Sequence, residues 1–354
     1  MTSPLWASVK LLADGFPVST LQILTCKMHF IKALCLKVFT SMMLGASVSA
    51  ETVLNDGVAV QFTPETTIGE LLNHPAFEGF AERLLPRPEY RQQTALPLRE
   101  AGALMPYHSL INAGDMAAGL NFLIRQARRQ APVFFEFYTA DEQRADPRKA
   151  ETGLFFFRGK PGAPFAIIAP GGGFSYVATL HEGLPLAQTI AEQGLNAFVL
   201  TYRTGQGERA ATQDLARAIA FIFKHQKKLQ VSRRAYSLWG ASAGARMAAA
   251  IGSHGPDAFG GAVQERPCCV VMLYTGHADY VASEPATFVA VGERDRISPP
   301  QVMRQRADAL AAVGTPVEFH EYSGVGHGFG LGKGSPAEGW IDNAIQFWRV
   351  WSHN

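Results

Sequence analysis

The stretch that decides the fold is Gly240-Ala241-Ser242-Ala243-Gly244. Ala235-Tyr236-Ser237-Leu238-Trp239 before it reads as a strand. Ala245-Arg246-Met247-Ala248-Ala249-Ala250-Ile251 after it reads as a helix. A serine at the apex of a tight strand-to-helix turn has a backbone too compressed for side chains on its neighbours. Glycine on either side lets strand and helix approach, and the hydroxyl projects from the end of the sheet.

A serine hydroxyl is a weak nucleophile near neutral pH. It needs an imidazole to take its proton and an acid to hold that imidazole. Both candidates follow in order. Val289-Ala290-Val291-Gly292 reads as a strand running into Glu293-Arg294-Asp295. Asp295, past the start of the turn, is the expected acid, with Glu293 its rival. Gly324-Val325-Gly326-His327-Gly328-Phe329-Gly330 follows the last expected strand. A histidine among glycines on a loop is positioned rather than packed, so His327 is the expected base. His320 lies within that strand and reads as structural. His277, just past a strand end, is the reserve base.

Attack on an acyl carbon places negative charge on the carbonyl oxygen, and each pre-aimed backbone N–H there contributes about 3–4 kcal/mol. Pro170-Gly171-Gly172-Gly173-Phe174 follows an apolar strand. The expected oxyanion donors are the amides of Gly172 or Gly173 and of Ala243, the residue after the serine. A phosphate cradle fails on spacing. Tyr176 stands where the dinucleotide fingerprint needs its third glycine. In Gly330-Leu331-Gly332-Lys333-Gly334-Ser335, His327 occupies the first glycine position of a P-loop and Gly334 its Ser/Thr position. No cofactor and no metal are expected.

From Val133 onward apolar strands alternate with helices. Strands are expected at 133–138, 153–158, 164–170, 196–202, 269–274, 287–292 and 317–322 besides the one before Ser242. Helices are expected at 183–193, 211–228, 300–313 and 337–351. The alternation implies an α/β chain with a mostly parallel sheet covered by helices on both faces. Residues 51–132 read instead as a helical N-terminal extension. Thr67-Ile68-Gly69-Glu70 fits a capping box, and Asp115 is placed as the cap of a second helix with Met116, Leu120, Leu123 and Ile124 on its apolar face.

Residues 150–351 resemble the α/β-hydrolase superfamily, most closely its bacterial acetylesterase and feruloyl-esterase-like branch. The resemblance rests on Gly171-Gly172-Gly173, His181-Glu182-Gly183, the Ser242 turn and the order Ser242, Asp295, His327. The chain differs from the hormone-sensitive-lipase-like pattern in having Pro170 where histidine precedes the glycines. The resemblance implies Ser242 as nucleophile, Asp295 as acid and His327 as base of a serine esterase acting on short acyl esters, including acetylated carbohydrate. A serine peptidase or lactone hydrolase of the same fold is the alternative within the enzymes, and a non-catalytic hydrolase-fold binding protein the alternative outside them.

The remaining expectations come from composition and the N-terminus. The 354 residues are 47% hydrophobic and 18% charged with net charge +2, which suits a globular chain and gives no reason to expect a nucleic-acid partner. Met28-His29-Phe30-Ile31-Lys32, an apolar run to Gly45 and Val48-Ser49-Ala50 read as a secretory signal cut after Ala50. The apolar run is short for a membrane span. The organisation expected is therefore an upstream extension and signal over 1–50, the helical extension over 51–132 and a catalytic domain over 133–354, placed in the periplasm or outside the cell. Cys26 and Cys35 leave with the signal. Cys268 and Cys269 read as small buried apolar residues, since adjacent cysteines rarely pair.

Overall fold

A computed structural model of the chain describes residues 61–352. The signal reading, Cys26, Cys35 and residues 51–60 lie outside them. The centre is an eight-stranded sheet. Its strands are β1 (Phe134–Phe135), β2 (Gly153–Phe157), β3 (Pro164–Ala169), β4 (Asn196–Thr201), β5 (Ser232–Ala241), β6 (Cys269–Leu273), β7 (Ala286–Gly292) and β8 (Val317–Tyr322). They lie in the order β1-β2-β4-β3-β5-β6-β7-β8. β2 runs antiparallel to β1 and β4, and every other pair is parallel.

The strands are apolar on both sides because helices cover both faces. Phe165, Ile167 and Ala169 of β3 point to one face with Leu238, Met272 and Val289. That face packs on α5 (Gly207–Leu229), α6 (Ala243–His254) and Met303 of α7 (Pro300–Ala312). Ala166 and Ile168 point to the other with Trp239, Val271 and Phe288. They meet α4 (Leu184–Glu192), α8 (Trp340–Trp351), α1 (Ile68–Leu72) and α2 (Ala113–Arg128). The extension thus shares a core with the sheet. At Gly119 of α2 an added Cβ would fall 2.8 Å from the Leu184 Cβ, so α2 and α4 meet almost backbone to backbone.

Three expectations change in detail. β1 is two residues long rather than six. Phe137 and Tyr138 leave the ladder to bury against the α5 face, where the Tyr138 hydroxyl donates to Asp214 Oδ1 at 2.6 Å. The cap of α2 is Asn112, whose side-chain oxygen accepts from the Asp115 amide at 3.1 Å. Asp115 lies in the first turn and pairs instead with Lys333 at 2.5 Å. The last helix begins at Trp340, because Gly339 at φ 88° cannot join a right-handed helix. The capping box of Thr67 and Glu70 forms as the pattern requires. Among the described residues no helix is long and apolar enough to cross a membrane.

Candidate active site

Ser242 joins β5 to α6 with φ 51° and ψ −114°, a conformation that costs a non-glycine residue of order 1–3 kcal/mol. Two close approaches hold it there. A Cβ on Gly240 would fall 2.4 Å from the Gly244 carbonyl oxygen, and one on Gly244 would fall 1.8 Å from that of Ala169. The turn is therefore possible only with glycine at both positions. The Ser242 amide donates to the Leu273 carbonyl of β6 at 2.9 Å, which fixes the turn at the sheet edge.

His327 and Asp295 arrive from loops at the same edge. His327 Nε2 stands 3.0 Å from Ser242 Oγ, and His327 Nδ1 stands 2.6 Å from Asp295 Oδ2. The second oxygen of Asp295 accepts from the amides of Ile297 at 2.8 Å and Ser298 at 2.7 Å. The carboxylate is thus aimed from behind, and it assigns a proton to Nδ1 that leaves Nε2 free to accept from the serine. The Arg294 amide donates to the Val325 carbonyl at 2.8 Å and ties the two loops together. Glu293 faces away. Its exposed carboxylate accepts from Ser323 Oγ and the Gly324 amide, both at 2.8 Å, and fastens the turn between β8 and His327.

The glycine run after β3 lies against the serine. A Cβ on Gly171 would fall 2.9 Å from that of Ser242. Gly172 and Gly173 have φ 131° and 61°, which only glycine adopts readily. Their amides make no hydrogen bond among the described residues. Nor does that of Ala243, the first residue of α6, which has no acceptor one turn back. Three donors without a partner among the described residues thus lie on the two segments that meet at Ser242. The Gly171 amide is already committed to Glu182 Oε2 at 2.6 Å.

Glu182 is fully buried, and its other oxygen accepts from the Tyr274 hydroxyl at 2.8 Å. Burial opposes its charge. His108, His181 and the Gly171 amide outweigh that and bring the carboxyl down to about 2. Burial and the Glu182 carboxylate push the Tyr274 phenol well above its ordinary value, so it remains a donor. Its ring edge also meets the His327 ring, with centroids 5.1 Å apart.

Residues 158–267, from the end of β2 through the Ser242 turn and α6, match the model of the BD-FAE family. The solved structure of MGS-M1, described as an alpha/beta hydrolase enzyme from a Medee basin deep-sea metagenome library, superposes with a TM-score of 0.50. It is 21% identical, over 57% of this chain and 93% of that one. The chain has the α/β-hydrolase fold. Two curated relatives match parts of this chain. Endo-1,4-beta-xylanase B of Butyrivibrio fibrisolvens is 30% identical over 96 residues, 26% of this chain and 15% of the relative. Acetylxylan esterase of Xylanibacter ruminicola is 26% identical over 131 residues, 37% of this chain and 26% of the relative. The chain thus spans about a quarter or less of the curated relatives it matches.

The hydrolase fold also places residues that motif reading leaves out. The Ser109 hydroxyl donates to the His327 carbonyl at 2.6 Å, and His108 Nε2 stands 2.9 Å from Glu182 Oε1. Neither has a sequence signal. Both come from an irregular segment far from the motifs, and only the fold makes them neighbours. His277 takes no part in the line of Ser242, His327 and Asp295. It lines a cavity of about 680 Å³ with Glu208, Arg209, Asp279 and Tyr280. Burial and the Arg306 cation lower its pKa. Arg246, one helical turn beyond Ser242, pairs with Glu208 at 2.7 Å, so the cavity wall is tied to the turn that carries the serine.

Proposed function

We propose that this chain is a serine esterase that removes short acyl groups, acetyl first, from carbohydrate. The observation that carries the reading is the unbroken line from Ser242 Oγ through His327 to Asp295 beside the free amides of Gly172, Gly173 and Ala243. In this mechanism Ser242 Oγ attacks the ester carbon while its proton passes to His327 Nε2. Asp295 holds the imidazolium by Nδ1–H. The tetrahedral oxygen is stabilised by the amides of Ala243 and Gly172 or Gly173. The C–O bond to the alcohol then breaks, and the alcohol leaves with the proton from Nε2. Water repeats the sequence on the acyl-serine, giving the free acid and restoring Ser242.

The acetyl and carbohydrate parts of the reading rest on the similarity to the acetylxylan esterase. The cavity that Glu208, His277 and Asp279 line, with the exposed Tyr280 on its wall, is the sugar site in this reading. The test is a panel of p-nitrophenyl esters of graded chain length, run beside acetylated xylo-oligosaccharides and a peptide amide, with fluorophosphonate labelling. Acetyl esters should turn over fastest, acetate should leave the oligosaccharides, the amide should remain intact and Ser242 should carry the label. Absence of both acetate release and label would overturn the reading. Cleavage of the amide would favour a peptidase.

Tyr280→Ala separates the alcohol side from the acyl side. A sugar stacked on that ring loses its platform, so KM for acetylated xylo-oligosaccharide should rise about tenfold, or ~1.4 kcal/mol. KM for p-nitrophenyl acetate should be unchanged. An equal rise for both substrates would place the sugar elsewhere.

The export reading rests on residues 28–50 alone. Expressed from Met28 in a bacterial host, the exported protein should begin at Glu51 by N-terminal sequencing. An intact Met28 terminus in the cytoplasmic fraction would contradict it.

A further inference from the structure

We propose that Tyr107-His108-Ser109, which lies outside the residues that match the BD-FAE family, is part of the catalytic apparatus, with His108 the positioning residue that sets the oxyanion loop through Glu182. The proposal rests on the esterase reading for its kinetic consequences and on geometry alone for its structural ones.

The chain of contacts is continuous. The Tyr107 amide donates to the Tyr176 hydroxyl at 3.1 Å, and that hydroxyl lies 3.0 Å from His108 Nδ1. The Tyr176 hydroxyl therefore bridges the Tyr107 backbone and the His108 ring. The other ring nitrogen, Nε2, faces Glu182 Oε1 at 2.9 Å. The approach meets the distance of an ion pair but lies off the donor axis of a hydrogen bond, so its contribution is mainly electrostatic. Glu182 Oε2 then accepts from the Gly171 amide, the residue before the two free amides. A shift of the carboxylate moves Gly171, and with it Gly172 and Gly173.

Two further bonds make the segment a brace rather than a single contact. Ser109 donates through its hydroxyl to the His327 carbonyl and through its amide to the Gly328 carbonyl at 3.0 Å. The same three residues thus hold the oxyanion loop and the histidine loop in one register. The close approach requires Gly328, where a Cβ would fall 2.7 Å from the His108 Cα.

Anchoring the extension does not require this arrangement. Phe62, Leu71, Met116 and Leu120 already bury against the body. A buried pair with side chains 1% and 0% exposed is a poor net stabiliser compared with apolar packing. What such a pair does supply is a fixed place for a carboxylate, and here the carboxylate holds the loop that carries the unpartnered amides of Gly172 and Gly173.

The experiment compares His108→Ala, His108→Gln and Asn121→Ala in the full chain. It reads hydrogen exchange at the Gly171 amide, kcat and KM for p-nitrophenyl acetate, and Tm. Asn121 bonds both backbone groups of Phe62 at 2.9 Å and lies in the same extension, outside the brace. In His108→Ala the Gly171 amide should exchange at least about tenfold faster, and kcat should fall about ten- to hundredfold with KM within twofold, short of the loss of a whole oxyanion donor. His108→Gln, which restores an N–H toward Glu182, should recover most of both. Asn121→Ala should lower Tm and leave kcat unchanged below the melt. Unchanged Gly171 exchange in His108→Ala would overturn the proposal, as would an equal kcat loss in Asn121→Ala. If His108→Ala does not fold, exchange and kcat close to wild type in His108→Gln support the brace, and a loss of either there counts against it. If the wild-type chain turned over no ester, the esterase reading would fall while Gly171 exchange still decided the positioning.

Discussion

Ser242→Ala should lower ester turnover by roughly four to six orders of magnitude and leave Tm close to wild type. The hydroxyl it removes stands 3.0 Å from His327 Nε2 at the end of the sheet. The glycine contacts that hold the turn are backbone contacts and survive. Stability should move by no more than about 0.5 kcal/mol, because alanine keeps the same Cβ and so the same backbone strain. Asp295→Asn should cost as much or less, since the imidazole keeps its place but loses the charge that orients Nδ1. Adding it to Ser242→Ala should change little, because the three groups act as a unit. Steady-state kinetics beside thermal melts decide the matter. A serine variant that keeps most of its activity at an unchanged Tm would remove Ser242 from the mechanism, and one that unfolds would give it a structural role.

Gly244→Ala should be the most damaging single-methyl change for the fold, lowering stability by about 4 kcal/mol or more. The added Cβ would fall 1.8 Å from the Ala169 carbonyl oxygen and 2.8 Å from that of Pro170. Both partners are backbone and cannot rotate away, so α6 must lift off the end of β3. Overpacking that side chains can absorb costs about 1–3 kcal/mol, and a backbone collision exceeds it. At 2–4 °C per kcal/mol the melt should fall by roughly 10 °C, or the protein should fail to accumulate. Gly276→Ala is the control. No atom lies within 4 Å of its added Cβ, so its denaturation midpoint should match wild type. Equal midpoints for the two variants would mean that α6 does not approach β3 this closely.

These two expectations show how unevenly the site is legible. The turn at Ser242 can be read from five residues because its requirement is local: glycines on both sides, a strand before and a helix after. The loops of Asp295 and His327 can be read because consecutive strand ends of a parallel sheet share one edge, so order along the chain becomes proximity in space. The choice between Asp295 and Glu293 is less visible. Both follow β7, and the fold separates them by turning Glu293 toward the Gly324 amide and Asp295 toward His327. The same limit appears at α2. Asn112 and Asp115 are both good caps by type, and only the extended backbone at Asn112 selects it.

The amino-acid sequence by itself determines the alternation of strands and helices, the two-faced apolar strands and the glycine-flanked serine, because each depends on residues within one or two turns of one another. Tertiary structure alone decides the support of that chemistry. His108, Tyr176, Glu182 and Tyr274 carry no shared period or spacing. They meet because the extension lays an irregular segment across the end of the sheet, where a buried carboxylate must be surrounded by donors. Local sequence has no way to express that requirement, since the groups that satisfy it come from three separate parts of the chain.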